Sequence, residues 1–262
     1  MNASSFAVRR GAGLPVYLVH GFGVDHHIML ALDPVLEAAG SLQRNYLDLP
    51  GFGGTAPLPG AGLPQLADWL EAQIRQDAGG RQFALVGNSL GGLLAQEMAE
   101  RFTTQVAGLA LLAPVIFPEA SQRTLPPRRV VHGDKQLLAS LDPHDAADYA
   151  EMAVVQTKGN WQQFRRWVLP GLRSANLRAM ARIRQRYYLE QLPVQRSQPA
   201  AGIPVLALCG RQDHVAGWAD ARLLAERYPQ LVHEVLDPAG HNVHLDQPEA
   251  AARALEAWAR SL

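Results

Sequence analysis

Short apolar runs alternate with stretches of helical periodicity along most of the chain. Six runs read as strands: Val16–His20, Leu42–Leu47, Phe83–Val86, Val106–Leu112, Ile203–Leu208 and Leu231–Leu236. None alternates cleanly between apolar and polar residues, so the sheet they build is covered on both faces. Between them lie helical patterns at Ile28–Ala38, Pro64–Arg75, Leu90–Arg101, Ala219–Tyr228 and Pro248–Leu262. Pro64 sits where a first helical turn tolerates a missing N–H. Strand and helix in alternation predict an α/β chain with a mainly parallel sheet.

One interval breaks the rhythm. From Leu112 to Ile203 there is no strand pattern, only helical ones at Asp145–Gln156, Asn160–Val168 and Leu172–Leu189. Pro114, Pro118, Pro126 and Pro127 mark the start of the interval, and Pro193, Pro199 and Pro204 mark its end. This divides the chain into a core, 1–114 and 199–262, and a helical lid insertion, 115–198. Such an insertion reads as a cap over the C-terminal edge of the sheet, where open α/β folds bind ligands.

Composition narrows the class. A chain of 262 residues can bury a full core as one domain with an insertion. Lys plus Arg equal Asp plus Glu at 24 each, so no bulk attraction to nucleic acid or to a membrane surface is expected. Met1–Phe6 lacks a charged and then apolar leader, and no apolar run reaches spanning length, which points to the cytoplasm. Cys209, the single cysteine, lies in an apolar strand run and offers no disulfide framework. No spacing of His, Cys, Asp and Glu suits a metal, and Gly51–Gly54 opens no helix and is no dinucleotide fingerprint.

The chemistry gathers around Gly87-Asn88-Ser89-Leu90-Gly91, which fits G-x-S-x-G between a strand run and a helix run. That context places a serine on a sharp turn at the top of a sheet, with glycines where a Cβ would clash. A serine hydroxyl is a weak nucleophile and needs a base, which in turn needs an orienting acid. His241 follows the last strand through the turn Asp237–Gly240, and Asp213 follows strand Ile203–Leu208 through Cys209–Gln212; both reach the edge that carries Ser89. His244 is the rival base and Glu119 the rival acid. The backbone N–H of Leu90 and that of Phe22, in the loop His20–Gly23, are the expected oxyanion donors. His20 reads as a local hydrogen-bonding group, His26 and His27 as neighbours of the pocket, and Asp48 as a brace for the Leu49–Gly54 turn.

These motifs together resemble the α/β-hydrolase superfamily. They are His-Gly-Phe-Gly at 20–23, Asp-Leu-Pro-Gly-Phe-Gly at 48–53, Gly-Asn-Ser-Leu-Gly-Gly at 87–92, Gly-x-x-Asp at 210–213 and Gly-His at 240–241. The order Ser89, Asp213, His241 is the order of that superfamily's triad. The resemblance implies a lid after the sixth strand of the family's sheet, a Ser-His-Asp triad, no cofactor, and ester hydrolysis through an acyl-enzyme. Relatives with an aspartate at the place of Ser89 displace alkyl groups, which this chain is not expected to do. About fifteen residues precede the first core strand, so the usual N-terminal hairpin is abbreviated.

Net neutrality hides an asymmetry. Residues 118–198 hold 13 Lys plus Arg against 7 Asp plus Glu, or +6, and the remainder holds 11 against 17, or −6. Arg165, Arg166, Trp167, Arg178 and Arg182 are the candidate substrate contacts, and Arg178, Arg182 and Arg186 line up at helical spacing. A solvated helix face explains such a run equally well. The layout is similar to that of the pimeloyl-acyl-carrier-protein methyl ester esterases, whose lid arginines meet the carrier. That likeness implies a small-molecule or carrier-linked ester as substrate and an acidic acyl-carrier protein as partner. Aminopeptidase, thioesterase and lactonase readings share the same machinery, and two further functions share the residues. A C–C bond hydrolase of meta-cleavage products also carries Gly-Asn-Ser, but those enzymes follow the histidine with Trp where this chain has Asn242. A non-catalytic binding protein on the same fold would have no need of a complete triad.

Overall fold

The computed structural model describes residues 6–196 and 202–262. Its strands are β1 (Phe6–Arg10), β2 (Leu14–Val19), β3 (Leu42–Leu47), β4 (Phe83–Asn88), β5 (Val106–Leu112), β6 (Val205–Gly210) and β7 (Leu231–Leu236). They form one sheet in the order β1-β3-β2-β4-β5-β6-β7. β1 runs antiparallel to β3, and every other neighbouring pair is parallel. The helices of the first half are α1 (His26–Leu30), α2 (Asp33–Ala39), α3 (Leu63–Ala78) and α4 (Leu90–Arg101). The insertion carries α5 (Lys135–Ser140), α6 (Pro143–Met152), α7 (Lys158–Trp167), α8 (Leu169–Ser174) and α9 (Leu177–Gln185), and the chain closes with α10 (Val243–Asp246) and α11 (Pro248–Ala259).

Successive strand residues face opposite sides of a sheet, and the core divides accordingly. Tyr17, Val19 and Leu85 join a cluster with Leu70 of α3 and Leu94 of α4. Val16, Leu18 and Val86 join a second cluster with Leu36 of α2 and Trp258 of α11. The insertion adds to both, through Ile183 on the first face and Tyr149, Trp161 and Phe164 on the second. It is therefore packed down on the sheet's two cores. The predicted boundary between 198 and 199, with Pro199, lies outside the described residues.

Several predicted elements change. Strand β1, a run of mixed polarity at the sheet edge, has no apolar run to announce it. The helix expected over Ile28–Ala38 divides into α1 and α2, because Pro34 sits in the first turn of α2 and its ring cannot continue a preceding helix. The helix expected over Leu172–Leu189 divides at Asn176, whose side chain caps α9 by accepting from Ala179 N–H at 3.0 Å. α9 ends at Gln185, so Arg186 falls off the helix and donates to the Gly60 carbonyl at 2.8 Å, leaving the arginine row that spacing predicted. Ala219–Tyr228 is a 3-10 helix over Asp220–Glu226. The strand expected over Ile203–Leu208 sits two residues later, so that Gly210 ends β6.

Candidate active site

Four loops leave the C-terminal ends of β2, β4, β6 and β7, and they carry the predicted residues to one place. Ser89 caps the N-terminus of α4 with φ 53° and ψ −114°, a left-handed conformation that an L residue rarely holds. Its neighbours explain how the turn survives. A Cβ on Gly87 would stand 2.3 Å from the Gly91 carbonyl oxygen, and one on Gly91 would stand 2.1 Å from that of Val19. The Ser89 N–H is tied to the Leu112 carbonyl at 3.0 Å, and the Asn88 side chain donates to the same oxygen at 3.1 Å.

The hydroxyl of Ser89 lies 2.9 Å from Nε2 of His241, and Nδ1 of His241 lies 2.9 Å from Oδ2 of Asp213. Asp213 is fully buried. Its second oxygen accepts from the Val215 and Ala216 amides at 2.9 and 3.0 Å. Burial alone would push the carboxyl up, but the His241 imidazole and the two amides outweigh it and hold the carboxyl below its ordinary range. A permanent carboxylate can only accept, so Nδ1 of His241 carries the proton and Nε2 is left to accept from the serine hydroxyl. This line of three groups can deprotonate the hydroxyl as it attacks a carbonyl.

Neither rival side chain reaches this line. His244 is buried, and its Nε2–H donates to the Ile28 carbonyl at 3.2 Å. Burial pushes it down to about 4. Glu119 is exposed and accepts from the Gln122 side chain at 3.2 Å, while the imidazole takes Asp213 as its partner.

His20 sets up the other side of the site. Its Nε2 accepts from Leu49 N–H at 3.0 Å, so its proton lies on Nδ1 and is donated to the Gly21 carbonyl at 2.7 Å. In a trans peptide the carbonyl and the following N–H point in opposite directions, so the N–H of Phe22 is turned away from His20. Gly21 allows the loop to approach: a Cβ there would lie 3.1 Å from Cβ of Ser89. Asp48 braces the neighbouring turn. One oxygen accepts from Gly54 N–H at 3.0 Å and the other from the backbone and ring of His26, both at 2.9 Å. Burial opposes ionisation of Asp48, but the His26 ring and these amides hold its carboxyl down at about 2. Asp25, His26 and His27 bring three metal-capable atoms within 4.8 Å of one another. Both ring Nδ1 atoms already donate to carboxylates, His26 to Asp48 and His27 to Asp25.

A cavity of about 720 Å³ opens above Ser89 and His241. Its lining includes Phe22, Arg123, Glu151, Arg184, Tyr187 and Val215. Arg165, Arg166, Trp167, Arg178 and Arg182 do not line it; the four arginines are exposed, and Arg166 stacks on Trp167 at 4.4 Å. Two arginines outside the expected set of substrate contacts, Arg123 and Arg184, stand at the cavity instead. Arg184 lies 5.1 Å over the Phe22 ring, and Arg123 is fixed by the carbonyls of Phe117, Pro118 and Val215 at 2.7, 2.6 and 2.9 Å. The row at i, i+4, i+8 drew attention to one face of α9. Arg184 stands two residues beyond Arg182, roughly 200° around the helix, where the fold puts the cavity.

Comparisons with known proteins bear on this arrangement. A model of the family described as alpha/beta hydrolase fold matches residues 15–248. The pimeloyl-[acyl-carrier protein] methyl ester esterase of Aeromonas hydrophila is 27% identical over 258 residues, covering 95% of this chain and 96% of its own. Among solved structures, an alpha/beta superfamily hydrolase from Oenococcus oeni PSU-1 matches with a TM-score of 0.89 at 25% identity, over 97% of this chain and 94% of the other. A thermophilic esterase from Thermogutta terrifontis matches with a TM-score of 0.65 at 26% identity, over 97% and 92%.

Proposed function

We propose that this chain, which belongs to the α/β hydrolase fold family, is a carboxylic ester hydrolase that works through Ser89, His241 and Asp213. The observation that carries the reading is the hydrogen-bonded line from Ser89 Oγ through His241 to a buried Asp213, beneath an open cavity. His241 takes the hydroxyl proton as Oγ attacks the ester carbonyl, and Asp213 stabilises the imidazolium that forms. The carbonyl oxygen becomes an oxyanion held by the N–H groups of Leu90 and Phe22. His241 then gives its proton to the departing alcohol, leaving an acyl-Ser89. Water, activated by the same imidazole, attacks the acyl carbon and releases the acid and free serine. No cofactor takes part.

The substrate is an ester whose acid or carrier part is anionic, and an acidic acyl-carrier protein is the partner. The resemblance to pimeloyl-[acyl-carrier protein] methyl ester esterases supports this reading, together with the surplus of positive charge in 118–198 and the placement of Arg184 at the cavity. Arg178 and Arg182, exposed on α9, serve a large acidic partner better than a small molecule inside the cavity.

The test combines a fluorophosphonate probe with a turnover panel. Wild-type protein should be labelled and Ser89→Ala should not. The panel compares p-nitrophenyl esters of several chain lengths, an acyl-carrier methyl ester and a meta-cleavage dienoate. Equal labelling of Ser89→Ala would remove the nucleophile assignment, and turnover confined to the dienoate would move the activity to C–C hydrolysis.

A further inference from the structure

The turn that presents His241 is held from the insertion side by a chain of buried and half-buried polar groups. The hydroxyl of Tyr149, in α6, donates to Asn160 Oδ1 at 2.9 Å. Asn160, in α7, donates from Nδ2 to Asp246 Oδ1 at 2.8 Å. Asp246, in α10, accepts with its other oxygen from the N–H of Gly240 at 2.8 Å. Gly240 is the residue before His241. Val154 of the insertion packs against the same residue, since a Cβ on Gly240 would fall 2.8 Å from its Cγ1. Tyr149 is fully buried and Asn160 nearly so.

We propose that Asp246 and Asn160 are positioning residues for the base, forming a relay that fixes the His241 turn to the insertion. The proposal rests on the reading of His241 as general base.

Three physical points carry it. The relay is saturated in the direction it runs: the carboxylate uses one oxygen for Gly240 and one for Asn160, and the amide oxygen takes the Tyr149 proton. It bears on the backbone atom one residue from the imidazole, where a displacement of a few tenths of an ångström moves Nε2 relative to Ser89 Oγ. Rates of oriented reactions fall steeply with such displacements. Finally, burial opposes the charge on Asp246 and pushes its carboxyl up to about 6. A carboxylate in a place that disfavours it is explained by its two acceptor atoms, one facing the insertion and one facing the base.

Four full-length proteins test this: wild type, Asp246→Ala, Asn160→Ala and the exchanged double variant Asp246→Asn/Asn160→Asp. The readouts are kcat and KM on p-nitrophenyl butyrate, the rate of fluorophosphonate labelling, and the melting temperature. Each single variant should lose about 10- to 100-fold in kcat and in labelling rate, with KM within about twofold. The exchanged pair still accepts from Gly240 and Tyr149 and still joins 246 to 160, now with the central donor reversed. It should recover most of the lost rate. The proposal is overturned if Asp246→Ala or Asn160→Ala keeps wild-type kcat, or if the whole loss lies in KM. It is also overturned if the exchanged pair is folded at the assay temperature yet no faster than the single variants. Should Asp246→Ala fail to fold, Asn160→Ala and the exchanged pair decide. Wild-type protein that the probe does not label would instead overturn the assignment of Ser89 and leave the relay without a base to position.

Discussion

Gly210 and Gly240 lie back to back: a Cβ on Gly210 would stand 2.1 Å from the Gly240 carbonyl oxygen and 2.5 Å from that of Ala239. The contact joins the loop that carries Asp213 to the turn that carries His241. Gln212 N–H donates to the Ala239 carbonyl at 2.8 Å, and its side-chain oxygen accepts from Ala239 N–H at 2.9 Å. Gly210→Ala forces these two backbones apart. It should destabilise the fold by about 2–4 kcal/mol and lower kcat at temperatures where the protein is still folded. Urea unfolding and initial rates check this, and a variant as stable and active as wild type would show that the two loops are not pinned together.

Asp213→Asn keeps the size of the acid and removes its charge. The amide can present an NH2 to Nδ1 of His241, which favours the wrong imidazole tautomer. A fall in kcat of about 10³- to 10⁴-fold is expected, with the fold retained by circular dichroism. Retention of more than a tenth of wild-type kcat would transfer the orienting role to another group.

The arginines divide by position. Arg184→Glu, at the cavity, should raise KM for a small anionic ester about tenfold more than for a neutral ester of equal length. The double reversal Arg178→Glu/Arg182→Glu should spare both small esters and weaken turnover of a carrier-linked ester alone. Steady-state kinetics on the three substrates separates the cases, and equal effects of both variants on the neutral ester would remove the electrostatic argument.

Two buried groups give stability a pH dependence of opposite sign. His244 falls from an ordinary value of 6.5 to about 4, chiefly through burial. Between these values the unfolded chain binds a proton that the folded one does not, so stability is lost as pH drops through the window, by about 3 kcal/mol in all. Asp246 rises from 3.8 to about 6, again chiefly through burial. Here the folded chain binds the proton first, so stability is lost as pH rises through that window. The two slopes oppose one another. His244→Gln removes the first, so its urea midpoint, taken relative to that of wild type, should rise from pH 7 to pH 5. An unchanged difference between the two proteins would show that this imidazole does not carry the effect.

The sequence was most legible where chemistry and backbone geometry impose the same residue. Gly87, Ser89 and Gly91 announce a strand–turn–helix, and strands Leu42–Leu47, Val106–Leu112 and Leu231–Leu236 stand where their apolar runs begin and end. It was least legible where tertiary contacts decide. Nothing local to Asn160 or Asp246 signals that they meet, since 86 positions separate them. Arg184 was hidden by a neater row of arginines on another face of the same helix. The capping role of Asn176 divided a helix that periodicity alone would have carried through it.

Ser89 holds φ 53° without the freedom of a glycine. The turn would be more comfortable with a glycine there, and Ser89→Gly should therefore melt higher than the natural protein while hydrolysing nothing. Durability and reactivity pull in opposite directions at this one position. A search for the hardiest version of this sequence, blind to turnover, would discard the serine early, so the residue's presence is a record of what the chain has been asked to do.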